Sequence, residues 1–246
     1  YPHGSVYEGG FVAGKPDGKG KITYADGGSY EGDWVAGAIT GNGVARYANG
    51  SVYTGTFLGG KHDGKGVIEG PGGYRYEGGW VAGAKEGDGK VTYPDGAIYQ
   101  GQMRAGAREG TGTLTLPDGM TYVGTWSAGQ INGAGKLTYP NGDVYEGSFT
   151  DGQKAGKGKL TYANGDVYEG SFAEGLRQGE GRVTFANGDV YTGGFKADKR
   201  HGKGSFTAKD GTAYTGDWVE GRAEVAAGGA PAARDGEPHA IPAGPP

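Results

Sequence analysis

The sequence predicts an all-β protein, an elongated and thin array of stacked β-hairpins, and three observations lead there. A Tyr-x-Gly-x-aromatic core returns every 23 residues without one slip of register. Turn pairs of the Asn-Gly or Asp-Gly type stand a few residues before most of the cores, between short apolar-polar alternations. With 58 glycines and 35% apolar residues the chain cannot build a thick core, yet 17 tyrosines, 7 phenylalanines and 4 tryptophans in strict period argue against disorder. A short fixed period marks a repeat array, in which each unit is too small to bury its own apolar face and is stable only against its neighbours.

The ladder of tyrosines comprises Tyr7, Tyr30, Tyr53, Tyr76, Tyr99, Tyr122, Tyr145, Tyr168, Tyr191 and Tyr214. Two residues after each stands a glycine, from Gly9 to Gly216. Two further on stands Phe11, Trp34, Phe57, Trp80, Met103, Trp126, Phe149, Phe172, Phe195 or Trp218. These are the structural residues of the repeat.

Taking Lys159 to Phe172 as the model repeat, Lys-Leu-Thr-Tyr reads as one strand, Ala-Asn-Gly as a turn, and Asp-Val-Tyr-Glu-Gly-Ser-Phe as the second strand. A two-residue type I′ turn competes with a three-residue loop, a type I turn closed by a left-handed glycine. Parity chooses the second. Only there do Leu160, Tyr162, Tyr168, Gly170 and Phe172 share a face, with Tyr162 opposite Asp166. Pro94, Pro117 and Pro140 suit the first turn position. In one repeat Gly70 replaces the first-strand tyrosine and Tyr74 stands where it would cover that glycine from across the hairpin. Gly170 and its equivalents are expected to leave space for the aromatic of the next hairpin. A glycine-rich turn, such as Gly152 to Gly158, is expected to join one hairpin to the next. Nine full hairpins run from Lys21 to Trp218, after a truncated first unit. Residues 1–221 form the array, and 222–246, rich in Ala, Pro and Gly without period, are expected to be a disordered tail.

These residues resemble the MORN (membrane occupation and recognition nexus) repeat, whose pattern is Tyr-Glu-Gly-x-Trp with spaced glycines and an Asp/Asn-Gly turn. The resemblance spans about Tyr1 to Gly221. It implies a solenoid-like single twisted antiparallel sheet in proteins that scaffold, localise or dimerise, and membrane or phosphoinositide binding is often attributed to the family. Three units depart from the pattern and are expected to be softer joints: the one at Gly70–Gly73, the one with Met103, and the one with Asp198 in place of a glycine.

The chain offers no catalytic constellation, cofactor site or metal site. Cysteine is absent, which excludes disulfides and thiolate chemistry. His3, His62, His201 and His239 recur at no repeat position, and His62 and His201 read as exposed turn histidines. There is no Gly-x-Ser-x-Gly elbow and no phosphate loop. The series Asn-Gly-Asp at Asp143, Asp166 and Asp189 would space its oxygens about 10 Å apart, too far to share a calcium ion, and reads as turn stabilisation. No run of about 18 apolar residues spans a membrane, no signal peptide is visible, and the compartment stays open.

A net charge of -4 gives no overall attraction to nucleic acid or anionic lipid. Its distribution is uneven. Most Lys and Arg residues lie between hairpins, among them Lys15, Lys19, Lys21, Lys61, Lys65, Lys154, Lys157, Lys159, Lys199, Arg200 and Lys203, which are expected to line one basic edge. Asp26, Asp95, Asp118, Asp143, Asp166 and Asp189 at the hairpin tips are expected to line the opposite, acidic edge. The reading is therefore a non-catalytic scaffold for a protein partner, self-associating as a homodimer. Its alternative is peripheral contact of the basic edge with anionic phospholipid head groups.

Overall fold

The computed structural model describes residues 1 and 3–224. It falls into two compact units, divided after Pro117. The first holds β1 (Val6–Val12), β2 (Lys15–Thr23), β3 (Ser29–Val35), β4 (Ala38–Arg46), β5 (Val52–Leu58), β6 (Lys61–Glu69), β7 (Arg75–Val81), β8 (Ala84–Thr92), β9 (Ile98–Arg104) and β10 (Ala107–Thr115). The second holds β11 (Thr121–Ser127), β12 (Gln130–Thr138), β13 (Val144–Thr150), β14 (Gln153–Thr161), β15 (Val167–Ala173), β16 (Leu176–Thr184), β17 (Val190–Lys196), β18 (Lys199–Thr207), β19 (Ala213–Val219) and β20 (Arg222–Ala223). Within each unit every strand pairs antiparallel with its neighbours in sequence, as in β2 with β3 or β14 with β15. The fold is all-β, and one 3-10 turn at Pro71–Gly73 is the sole helical element among the described residues.

Two turn types alternate. Tyr162 N–H donates to the Asp166 carbonyl at 2.8 Å, Gly165 N–H donates to the Tyr162 carbonyl at 2.9 Å, and Gly165 has φ 92°. This is the three-residue loop with a left-handed glycine that parity selects, and Leu160 pairs with Tyr168 on one face. The second turn differs from the expectation. Instead of a long glycine-rich connection, a two-residue turn such as Asp151-Gly152 leads at once into a nine-residue strand, and Gly156 and Gly158 belong to that strand. Both turn residues have positive φ (49° and 78°), as a type I′ turn demands. The sequence hid this because Ala13, Ala36, Asp151 and Glu174, with φ between 47° and 52°, are poor advertisements for a left-handed position.

A bulge reconciles the seven-residue strand with its nine-residue partner. Across β15 and β16, Gly170 pairs with Gly181 but Phe172 pairs with Arg177, so the longer strand carries two additional residues there. The ladder tyrosine lies over this region. Tyr168 Oη donates to the Ser171 carbonyl at 2.8 Å, and Tyr145 Oη to the Ser148 carbonyl at 2.9 Å.

Gly147 and its cross-strand partner Gly158 both seat Tyr145, the ladder tyrosine that precedes them in the chain, which corrects the expectation that such glycines admit the aromatic of the next hairpin. A Cβ built on Gly147 would sit 2.5 Å from Tyr145 Oη, and one on its cross-strand partner Gly158 would sit 2.5 Å from Tyr145 Cε2. The ring therefore rests flat on a pair of glycines. Its edge contacts are shared: Tyr145 meets Phe149 at 5.1 Å and Phe172 of the next repeat at 4.9 Å, both edge-to-face. Where the second aromatic is Trp, its indole N–H also reaches back, Trp34 to the Gly20 carbonyl at 3.1 Å and Trp80 to the Gly66 carbonyl at 3.2 Å.

Side chains fasten successive repeats at both margins. At the three-residue turns Asp143 accepts from Ala163 N–H and Asp166 from Ala186 N–H, each at 2.8 Å. At the two-residue turns Asp17 accepts from Ala36 N–H at 2.9 Å and Asp63 from Ala82 N–H at 3.0 Å. The three departing units are packed rather than slack. Tyr74 covers Gly70, with its Cδ1 3.4 Å from where a Cβ would stand. Met103 is buried in its aromatic slot. Asp198 accepts from Arg177 N–H at 2.8 Å and pairs with its guanidinium. The array also runs further than Gly221, since β20 pairs with β19 and Glu224 N–H donates to the Asp217 carbonyl. The remainder of the expected tail lies outside the described residues.

Removing a ladder ring should depend on its place. Tyr168, fully buried, should cost about 3–5 kcal/mol on Tyr168→Ala and about 1 kcal/mol on Tyr168→Phe, which loses only the hydrogen bond. Tyr7 is half-buried beside an exposed Phe11 and should cost clearly less. Urea melts showing equal losses at Tyr7 and Tyr168 would contradict this packing.

Candidate functional site

Strand alternation gives each unit two faces of different chemistry. The tyrosine face carries the ladder, the second aromatics, and one further series that stands nine residues after each tyrosine. In the first unit that series is Pro16, Ile39, His62, Lys85 and Arg108, and in the second Ile131, Lys154, Arg177 and Arg200. These side chains cap the rings. His62 stacks on Tyr53 at 3.6 Å and shares a hydrogen with Tyr47 Oη at 2.6 Å. Burial holds its imidazole down to about 4, so it is neutral in the fold. It is thus a half-buried, ring-stacked histidine of β6, not the exposed turn residue expected. His201 belongs to β18 and is half-buried, with its Nδ1 unpartnered among the described residues.

Cations occupy the same series. The Lys154 ammonium lies 5.7 Å from the Phe172 ring and 5.8 Å from those of Tyr139 and Tyr145, and burial lowers its pKa to about 8. The Arg177 guanidinium stands 5.5 Å over Tyr168 and 5.3 Å over Phe195, and that of Arg200 stands 4.5 Å over Trp218. These are cation–π contacts. The expected basic edge therefore loses Lys154 and Arg200, which cap rings; Lys154 is 7% exposed.

The other expected residues lie on the opposite face, and that face is of mixed charge, not a basic margin. Lys15, Lys61 and Lys199 flank the two-residue turns, across from Val12, Leu58 and Lys196. Lys19 meets Asp33 at 2.6 Å and Lys203 meets Asp217 at 2.7 Å. Lys65 pairs across the ladder with Gly79, and Lys157 donates to Ser171 Oγ at 2.9 Å. In the second unit the cross-strand order Lys136, Glu146, Lys159, Glu169, Arg182 alternates in sign. In the first, Glu8, Lys21 and Glu31 do the same beside an open hollow of 870 Å³ that Arg46 and Thr54 also line. Parity could have revealed this, because lysines and glutamates one residue from the glycine pair must face away from the tyrosines.

Of the expected acidic edge, Asp26, Asp95 and Asp118 are exposed at the hairpin tips, each accepting from a backbone N–H of its own turn, but two members are not available to solvent. Asp143 and Asp166 are buried, with their carboxylates on backbone N–H groups and on Asn141 and Asn164. Among the described residues no three His, Cys, Asp or Glu side chains converge as a metal site, and no helix is long and apolar enough to cross a membrane.

Comparison with known proteins agrees with this geometry. The family profile described as the MORN repeat matches nine consecutive segments, residues 7–29, 30–52, 53–73, 76–98, 99–121, 122–144, 145–167, 168–190 and 191–213. No curated protein matches the chain. Among solved structures, the chain is similar to the TCP domain of SAS-4 (dCPAP) of Drosophila melanogaster, solved with a proline-rich motif of Ana2. Identity there is 18%, coverage is 76% of this chain and 98% of that one, and the TM-score is 0.42. The TCP10 domain of Danio rerio CPAP, solved with a STIL peptide, gives 14% identity, coverage of 87% and 99%, and a TM-score of 0.33. Likenesses at such scores carry no inference about function.

Titration should separate the neutral His62 from its surroundings. Between its ordinary value of 6.5 and about 4 the unfolded chain holds the extra proton, so its stabilisation is lost as pH falls through that window. His62→Ile, borrowing the residue of Ile39 and Ile131, should therefore gain on the parent as pH drops from about 6.5 to about 4. A stability difference independent of pH would show that the imidazole titrates normally.

Proposed function

The chain belongs to the MORN repeat family, and we propose that it is a non-catalytic repeat scaffold that holds a protein partner on its sheet. The observation that supports this most is the division of labour between the faces. Aromatic and cationic side chains of one face are consumed in packing, while the other presents a repeating grid of charged and small residues to solvent. Repeat arrays use such extended surfaces for association. Self-association through the same grid is a form of this reading.

Peripheral binding of anionic lipid is the second reading, favoured by exposed Lys157 and Lys159. Against it, Glu146 and Glu169 stand directly opposite Lys159 on either side, so the local field largely cancels. At about 0.15 M salt the protein should remain in the supernatant with anionic vesicles, while a pull-down from the source cells should retain a protein partner. Strong pelleting that Lys157→Glu with Lys159→Glu abolishes would replace the scaffold reading by the lipid one.

A further inference from the structure

Four consecutive repeats of the first unit place a large apolar residue just before the two-residue turn, on the face away from the tyrosines. Val12, Val35, Leu58 and Val81 are 62, 55, 61 and 56% exposed. Across the turn from them stand Lys15, Ala38, Lys61 and Ala84. Nothing in the turn requires these side chains. In the second unit the same position holds Ser127, Thr150, Ala173 and Lys196, with a single valine, Val219, at its last turn, and the first turn residue has φ of 47° to 52° there against 47° to 57° in the first unit. The repeat thus supplies its own control: the turn is made with either kind of residue, and four consecutive exposed apolar side chains occur in the first unit only. Such a row marks an interaction site.

Its spacing and charge define the occupant. Neighbouring members are two strands apart, about 10 Å, which matches one heptad of α-helix, about 10.5 Å. Lys15, Lys61 and Arg104 are the charged members of this margin, and the adjacent carboxylates of Asp17, Asp63 and Glu86 are engaged with the N–H groups of Ala36, Ala82 and Ala105. We propose that Val12, Val35, Leu58 and Val81 dock an amphipathic α-helix of a partner protein, apolar at heptad spacing and carrying acidic residues where it meets Lys15, Lys61 and Arg104. Ala38 and Ala84 leave room for its larger apolar side chains between the members of the row. This inference rests on the scaffold reading and names the class of partner.

The probe is a display library of 21-residue peptides, apolar at heptad positions with Asp or Glu on the flanks, set against a scrambled library of equal composition. The full chain should enrich the heptad library. Individual peptides should lose at least tenfold in affinity against Val35→Thr with Leu58→Thr, and against Lys15→Glu with Lys61→Glu. The first pair copies residues the second unit already carries, so its melting temperature should match the parent; if it does not, Val35→Ala with Leu58→Lys replaces it. Equal enrichment of the scrambled library would overturn the proposal. So would vesicle pelleting, or a concentration-dependent dimer of this chain, that the threonine pair abolishes. A cellular protein partner that still binds the threonine pair would overturn docking on this row and leave the scaffold reading standing.

Discussion

One contact sets the terms for the rest of the chain: a tyrosine ring lying flat across two cross-strand glycines, its hydroxyl donating to a carbonyl three residues on. The contact explains the period, because each copy needs a tyrosine, a glycine two residues later and a second glycine across the ladder. It explains the glycine content, since any Cβ at either position meets the ring. It also explains how a single layer acquires a core. Rings laid down along the strand leave their edges to the aromatics before and after, and Tyr53, Tyr76, Tyr99 and Tyr145 become wholly buried without a second layer of backbone.

That economy shifts the burden of cohesion to the margins. A stack of hairpins held by rings alone would slide, and the turns prevent this with side-chain acceptors aimed at the N–H groups of the next repeat. The acids at these places are consequently spent. Asp143 and Asp166 resemble a ligand series in sequence and serve as fasteners in the structure. The left-handed Ala36 and Ala82 accept an unfavourable backbone conformation, and each has its N–H satisfied by a carboxylate of the preceding repeat.

The repeat, the hairpin, its three-residue turn and the pairing of Leu160 with Tyr168 were legible because all depend on local parity, which one sequence displays ten times. The Gly70 and Tyr74 exchange was legible for the same reason. The second turn was obscured by alanine and acidic residues at positive φ, where glycine or asparagine is the usual signal. Charge was misread more broadly. Grouping lysines by segment placed Lys154 and Lys159 together, although five residues and opposite faces separate a ring-capping ammonium from a solvent ladder. The cations of the aromatic face, Lys85, Arg108 and Arg177 included, stand at a fixed nine-residue offset from each tyrosine. That offset was visible, but the meaning of a lysine there follows only once the bulge and the path of the ring are known.

A face emptied of chemistry by packing and a face patterned in charge suit a protein whose work is association, and both depend on the tyrosine occupying its glycine pair. The most direct measurement is a double-mutant cycle on Gly158 and Tyr145. If the glycine exists for the ring, Gly158→Ala destabilises the parent by about 1–3 kcal/mol, as overpacking does, and costs far less once Tyr145→Ala has removed the ring, a coupling of at least about 1 kcal/mol. An equal cost in both backgrounds would show that the glycine answers to the backbone alone, and would contradict the account.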